Sequence, residues 1–144
     1  LLIEEKDVEN TFRNYKLGDG DARLVVFSGP QQSLFEMKTL AALLKGRKVA
    51  KGSQLFITTS NGVKSAAKEL GYLQDIEESG AVVLEGVCFY ILQNLPQMRL
   101  REGWSNLVTN SAKLANIIGA HKFNTILRRT GECIDIACTG TDVR

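Results

Sequence analysis

Short apolar runs alternate along the chain with segments in which apolar residues recur every three or four positions. The runs are as short and as continuously apolar as strands buried on both faces, at 23–28, 54–58, 81–84, 106–108 and 123–127. Helical spacing follows them at 34–44, 63–70 and about 111–118. Strands that alternate with helices are typical of βαβ units. The sequence therefore predicts an α/β fold, a mostly parallel sheet of about four or five strands with helices on both faces.

The two ends and one internal stretch depart from this alternation. Residues 1–16 have one weak apolar face at helical spacing, which predicts a helix that arrives from a preceding domain. A turn is expected at 18–21. Gly29 and Pro30 are expected to end the first strand, and the run at 89–92 fits either type of element. A last helix is expected from Thr130 to near Gly140. Because the first residue is not Met, we interpret residues 1–144 as a single α/β domain and a fragment of a larger chain.

Composition excludes several classes of protein. The 18 basic and 16 acidic residues are mixed along the chain, so no basic stripe indicates a nucleic-acid partner. No apolar run approaches the length of a membrane span, so no membrane partner is expected. Three cysteines are too few for a disulfide framework, which favours a reducing, cytoplasmic location. The single histidine, His121, excludes a histidine-rich metal site and is expected to be an exposed turn residue.

Small polar residues follow the strands at the points where these end. Thr59 and Ser60 follow the second strand, and the segment Thr109-Asn110-Ser111 follows the fourth, with Lys113 two residues later. In a parallel sheet these positions share the carboxyl edge, where free backbone N–H groups and helix dipoles favour a carboxylate or phosphate. The alternative is that the same residues are ordinary N-caps of the helices that follow.

At these residues the chain resembles a known family. The motifs Phe56-Ile-Thr-Thr-Ser60, Ala67-Lys-Glu-Leu-Gly71-Tyr and Thr109-Asn-Ser-Ala-Lys113, with Cys88 and Gly131-Glu-Cys133, occur in one order. Together with Ala137 and Thr139-Gly140 they resemble the later catalytic region of aconitase X, a dehydratase family related to aconitase, over about 25–140. The resemblance implies a hydro-lyase that carries an iron–sulfur cluster. Known members dehydrate hydroxyproline-type substrates or a phosphorylated mevalonate.

The resemblance also implies the site and the partners. Cys88 and Cys133 would be cluster ligands, with a third ligand in an N-terminal catalytic part that works with a small swivelling domain or subunit. Cys138 is the alternative to Cys133, because residues five apart lie about 140° apart around a helix. We favour Cys133, since it lies in the first turn of the last helix, where the dipole lowers the pKa of a thiol.

The remaining candidates concern a small carboxylate or phosphate substrate. Lys113 and Ser111 are the expected catalytic residues, with Lys113 binding the anion. Asn110 and Thr109 would assist, and Thr59 and Ser60 are weaker candidates from the neighbouring strand.

Departures from the family and a rival interpretation complete the prediction. Gly29-Pro30-Gln31 stands where Pro-His is expected, Asn116-Ile117 replaces a His-Tyr pair, and Val87 replaces a threonine. The family's substrate therefore does not carry over directly.

The rival is a non-catalytic α/β domain that binds a small anionic ligand or a partner subunit through the same edge. A free-standing cysteine enzyme would have only His121 as its base.

Overall fold

Five strands within the described part of the chain form one parallel sheet. The computed structural model describes residues 2–15 and 22–142. The strands are β1 Leu24–Gln32, β2 Gln54–Thr59, β3 Val82–Glu85, β4 Asn106–Thr109 and β5 Asn124–Leu127. They lie in the order β3-β2-β1-β4-β5, and every neighbouring pair is parallel. The predicted α/β fold is thereby confirmed, and the strands fall on the five apolar runs.

Helices connect the strands on both faces of the sheet. They are α1 Glu5–Asn14, α2 Leu34–Leu44, α3 Asn61–Glu69, α4 Tyr72–Glu78, α5 Leu95–Glu102, α6 Ala112–Ile117 and α7 Thr130–Thr139, with 3₁₀ turns at Phe89–Ile91 and Ile118–His121. Local signals set several of their ends. Ser33 and Glu36 form a capping box at the start of α2, and Gly140 ends α7 with a φ of 77°. None of the helices in 2–15 and 22–142 has the length and apolar character that a membrane span needs.

Two cores lie against the two faces of the sheet. Side chains alternate along β1, so Val25 and Phe27 point to one core and Leu24 and Val26 to the other. The first core is completed by α2, α3, α4 and α7, and we call this side the α2 face. The second is completed by the Phe89 turn, α5, Trp104 and α6, and we call it the α6 face. Burial on both faces explains why the strands are continuously apolar.

β1 is longer than predicted. It continues through Gly29 and a cis peptide bond to Pro30, and its pairing with β2 shifts in register between Phe27 and Gln32. The expectation that Gly29 and Pro30 end the strand was wrong. Proline lacks a backbone N–H, but it lies in the irregular stretch where no ladder hydrogen bond is required of it. Pairing with β2 resumes at Gln32, opposite Thr59.

Other differences concern the helices. α5 was not predicted, although Pro96 lies in its first turn, where proline is well suited to start a helix. α1 exists but buries none of its residues, in agreement with its weak apolar face. The turn expected at 18–21 lies outside the described residues.

The strand order places a crevice beside β1. The chain runs from β1 outward to β2 and β3, and then crosses to β4 on the other side of β1. The order of the strands therefore reverses between β1 and β4. In doubly wound sheets, ligands bind at the carboxyl ends of the two strands that flank such a reversal.

Candidate functional site

Ser111 joins the carboxyl ends of β1 and β4. Its hydroxyl donates a hydrogen bond of 2.5 Å to the carbonyl of Gly29 and accepts one of 3.1 Å from the backbone N–H of Leu114. The N–H of Ser111 is bound by Thr109 Oγ1 at 3.1 Å. Ser111 thus caps α6 and connects the segment after β4 to the irregular stretch of β1 that contains Gly29. Its proton is already used, which leaves it one lone pair for a ligand.

Asn110 and Lys113 differ in how far they are engaged. The amide of Asn110 donates to Thr130 Oγ1 at 3.1 Å, which ties the exit of β4 to the start of α7. Lys113 lies in the first turn of α6 and is exposed. Among the four residues predicted at the exit of β4, Lys113 is the one that presents a charge to solvent at this edge.

Thr59 and Ser60 serve mainly to build the fold. Thr59 is buried and its hydroxyl donates to the carbonyl of Gln32 at 2.7 Å, which closes the irregular end of β1. Ser60 Oγ accepts from the N–H of Val63 at 3.3 Å and caps α3. The capping alternative considered from the sequence therefore applies to both Ser60 and Ser111.

Cys88 is held over the end of β1 by hydrogen bonds on both sides of it. The residue before it, Val87, receives a hydrogen bond of 3.0 Å on its carbonyl from Gln31 Nε2. The residue after it, Phe89, donates its N–H to Ser28 Oγ at 3.1 Å, and the Ser28 hydroxyl also lies 3.7 Å from the Cys88 sulfur. We call these contacts the Cys88 clamp. They place a half-buried thiol at the carboxyl end of the central strand.

The sequence did not indicate the Cys88 clamp. Ser28 ends the first predicted strand, but its contact with Cys88 spans 60 residues of chain. Gln31 lies beyond the point where β1 was expected to end. Both contacts arise because the connection from β3 passes back over β2 and β1, with the N–H of Gly86 bound to the carbonyl of Thr59 at 2.9 Å.

Cys133 is fully buried in the core of the α2 face. Its thiol donates to the carbonyl of Arg128 at 3.5 Å. Burial raises the pKa of Cys133 far above its ordinary value, and the nearby carboxylate of Glu132 adds to the rise. The expectation that the helix dipole lowers this pKa was therefore wrong, because desolvation of the thiolate outweighs the dipole. The choice of Cys133 as a ligand is a separate matter and stays a prediction.

Cys138 is half-buried and packs at the edge of the same core. Partial burial raises the pKa of its thiol as well, against the attraction of the nearby Arg47. It lies near the carboxyl-terminal end of α7, about 7–8 Å along the axis from Cys133. The two thiols therefore belong to different ends of the helix.

The thiols of Cys88 and Cys133 both lie beside the carboxyl ends of strands, Cys88 against Ser28 of β1 and Cys133 against Arg128, which follows β5. Cys88 contacts Ser28, whose position in β1 places it on the α6 face, whereas Cys133 approaches from the α2 face. Only β4 separates β1 from β5, so these strands lie about 10 Å apart. Coordination to a metal removes the proton of a thiol outright, so a raised pKa does not prevent Cys133 from binding. Within 2–15 and 22–142, no three His, Cys, Asp or Glu side chains are grouped to hold a metal.

His121 and the cavity described below do not contribute to the carboxyl edge of the sheet. His121 ends a 3₁₀ turn, is half-buried, and its Nε2 lies 3.0 Å from the carbonyl of Tyr90, so the expectation of an exposed turn residue was wrong. A cavity of about 350 Å³ is lined by Gln54, Phe56, Trp104 and other side chains. It lies at the amino-terminal ends of β2 and β3, the opposite edge of the sheet from Cys88.

Comparison with known proteins decides the family. The family model described as "Aconitase X third domain" matches residues 22–139. The chain belongs to the aconitase X family. It is similar to the phosphomevalonate dehydratase large subunit of Thermococcus kodakarensis, with 29% identity over 116 residues, and to the corresponding subunit of Methanocaldococcus jannaschii, with 26% identity over 117 residues. It also resembles the cis-3-hydroxy-L-proline dehydratase of Pseudomonas aeruginosa, with 32% identity over 99 residues.

These alignments cover most of the chain but only part of each relative. They span 80% of this chain for both large subunits and 69% for the proline dehydratase, but 28%, 27% and 17% of the relatives. The crystal structure of Thermococcus kodakaraensis aconitase X in its holo-form matches with a TM-score of 0.78 and 28% identity. That match covers 94% of this chain and 33% of the other. The three relatives are by name dehydratases or dehydratase subunits, and this chain corresponds to about a quarter of the length of the large subunits.

Proposed function

We propose that this chain is the cluster-binding domain of a cytoplasmic iron–sulfur hydro-lyase. The enzyme would remove water from a small hydroxy acid such as a hydroxyproline or a phosphorylated mevalonate. Relatives with both kinds of substrate in their names support this range. The observation that carries the proposal is the Cys88 clamp, which holds a thiol at the carboxyl end of the central strand. That is the edge at which parallel sheets bind their ligands.

Cys88 and Cys133 would hold the cluster, with Cys138 as the alternative to Cys133. When bound, an iron–sulfur cluster with an open iron position supplies a Lewis acid for the departing hydroxyl. The third ligand, the rest of the catalytic site and the small swivelling domain would come from other parts of the enzyme. The shares of 28% and 27% that this chain covers of the large subunits support such a division.

Lys113 would bind the carboxylate or phosphate of the substrate. Its exposed ammonium group lies in the helix that starts beside the β1–β4 crevice. Ser111 would act as a hydrogen-bond acceptor and would hold Lys113 in place, because its proton is bound to Gly29. Asn110 and Thr109 would keep the loop in position, and Thr59 and Ser60 would do the same for the neighbouring strand exit.

Anaerobic assay of the full-length protein tests this function. The protein is incubated with hydroxyproline and, separately, with phosphorylated mevalonate, and loss of water is followed by mass spectrometry. We expect dehydration of one substrate in the wild type and none in Cys88→Ser. Turnover in Cys88→Ser at the wild-type rate would contradict the assignment.

A non-catalytic domain is the second candidate, and specific contacts favour it. The hydroxyls of Thr59, Ser60 and Ser111 are engaged within the fold, and Cys133 is buried. Such a domain would bind a small anion or a partner subunit without a cluster. Calorimetric binding of phosphate or citrate to a colourless full-length protein, weakened in Lys113→Ala, would favour this candidate over the hydro-lyase.

A further inference from the structure

The Ser28 hydroxyl has three hydrogen-bond partners within the described residues: the N–H of Phe89, the hydroxyl of Thr58 and the sulfur of Cys88. Ser28 is completely buried, at the point where the regular pairing of β1 with β2 ends. Its oxygen accepts from the N–H of Phe89 at 3.1 Å. The hydroxyl of Thr58 has one proton and two acceptors in reach, Ser28 Oγ at 2.9 Å and the carbonyl of Phe27 at 3.4 Å, and we assign the proton to the nearer one, Ser28. A serine oxygen has two lone pairs, and these two donors occupy both. The remaining function of the hydroxyl is to donate its own proton.

The sulfur of Cys88 is the acceptor in reach of that proton, at 3.7 Å. A thiolate, or a thiolate bound to iron, has no proton to give and accepts hydrogen bonds from the surrounding protein. The donors on Ser28 come from the backbone and from Thr58, so they do not depend on the state of Cys88. The arrangement is therefore fixed before any ligand binds.

We propose that Ser28 is a positioning residue for Cys88, whose hydroxyl proton orients the sulfur and stabilises the negative charge that it carries as a cluster ligand. This inference rests on the proposed function, since it assumes that Cys88 binds the cluster. Hydrogen bonds to cluster sulfurs are among the factors that set the reduction potential. Loss of the Ser28 proton should therefore disfavour the reduced, more negative cluster.

The test uses the anaerobically purified full-length protein and its Ser28→Ala variant. Both are titrated with dithionite, and the midpoint potential of the cluster is followed by electron paramagnetic resonance. We expect Ser28→Ala to keep its iron but to show a more negative midpoint potential than the wild type. An unchanged potential in an iron-loaded Ser28→Ala would overturn the inference and leave the proposed function standing. A wild type without iron would overturn both.

Two control variants separate the sulfur contact from general loosening. Thr58→Val removes a neighbouring buried hydroxyl but leaves Ser28 able to donate to Cys88, so its potential should match the wild type. Gln31→Ala breaks the other half of the Cys88 clamp without removing the proton donor, and its potential should also match. A shift in Gln31→Ala as large as that in Ser28→Ala would assign the effect to loosening and overturn the inference.

The wild type provides a second measurement if Ser28→Ala does not retain a cluster. An iron-bound sulfur that accepts an O–H hydrogen bond shows a shift of its Fe–S stretching bands on transfer into D₂O. Resonance Raman spectra of the wild type in both solvents are expected to show this shift. Identical spectra after full exchange would overturn the inference.

Discussion

Arg128 and Asp142 form an ion pair that is almost closed to solvent. Arg128 Nη2 lies 2.5 Å from one carboxylate oxygen of Asp142, and Nε lies 3.4 Å from the other. The two side chains are 14% and 4% exposed. Arg128 precedes α7 and Asp142 follows it, so the pair joins the two ends of the last helix. Arg128 Nη1 also binds the carbonyl of Leu127 at 2.8 Å.

Asp142→Ala is expected to lower the free energy of unfolding by about 3 kcal/mol. Removal of one partner from a buried pair leaves an uncompensated charge, which costs about 3–5 kcal/mol. The lower end applies because Arg128 keeps the Leu127 carbonyl and some solvent contact. With a urea m-value of about 2 kcal/mol/M, the midpoint of unfolding should fall by about 1.5 M.

Asp135→Ala, within α7, provides the matched control. Asp135 pairs with Arg47 at 2.9 Å, but the two side chains are 64% and 36% exposed. An exposed pair contributes at most about 1 kcal/mol, so this variant should lose about 0.5 M or less in urea. If the two variants lose equal stability with unchanged m-values, burial is not what gives the Arg128 pair its strength, and the reasoning is refuted.

Three further perturbations follow from the geometry. Burial raises the pKa of Cys133 above its unfolded value of 9.0. The contribution of this thiol to the free energy of unfolding is therefore complete below about pH 9. Above about pH 9 the contribution falls by about 1.4 kcal/mol per pH unit. Urea midpoints of the iron-free chain from about pH 8 to about pH 10.5 should therefore decline less in Cys133→Ala, and parallel declines would contradict this. Gly86 has a φ of +68°, and a Cβ there would lie 3.1 Å from Asn61 Oδ1. Gly86→Ala should therefore lower the free energy of unfolding, measured by calorimetry, by about 1–2 kcal/mol. Gly62→Ala is the control, because a Cβ at this position of α3 meets open space and should cause no loss. Equal losses of stability in the two glycine variants would contradict the role assigned to the backbone conformation of Gly86. Lys113→Ala should raise the substrate KM of the full-length enzyme about tenfold with no change in urea midpoint, and an unchanged KM would remove Lys113 from the site.

The arrangement of strands could be predicted because each strand is a short apolar run, and in the central strands β1 and β4 this follows from burial on both faces. The predicted strand at 106–108 and the observed β4 differ by one residue, within the usual uncertainty of element ends. α5 was missed because it has Pro96 in its first turn and buries Leu95 alone. β1 was cut short because the sequence around Pro30 is typical of a strand end, and only pairing with β2 shows that it continues.

The candidate site could be predicted in its position but not in its contacts. Thr109, Asn110 and Ser111 lie at the carboxyl edge of the sheet, as the polar strand exits predicted, and the strand order places that part of the edge at the β1–β4 crevice. The burial of Cys133 depends on the packing of α2 and α7, which are distant in sequence, so local position in a helix gave the wrong direction for its pKa. The Ser28–Cys88 contact depends on the path of the connection after β3, for which no local pattern exists.

Iron and acid-labile sulfide analysis of the anaerobically purified full-length protein tests the central claim most directly. The wild type is compared with Cys88→Ser, Cys133→Ser and Cys138→Ser. The account predicts a cluster in the wild type and in Cys138→Ser, and its loss in Cys88→Ser and Cys133→Ser. Loss in Cys138→Ser with Cys133→Ser intact would move the second ligand to Cys138. A wild type without iron, or a full cluster in Cys88→Ser, would contradict the account.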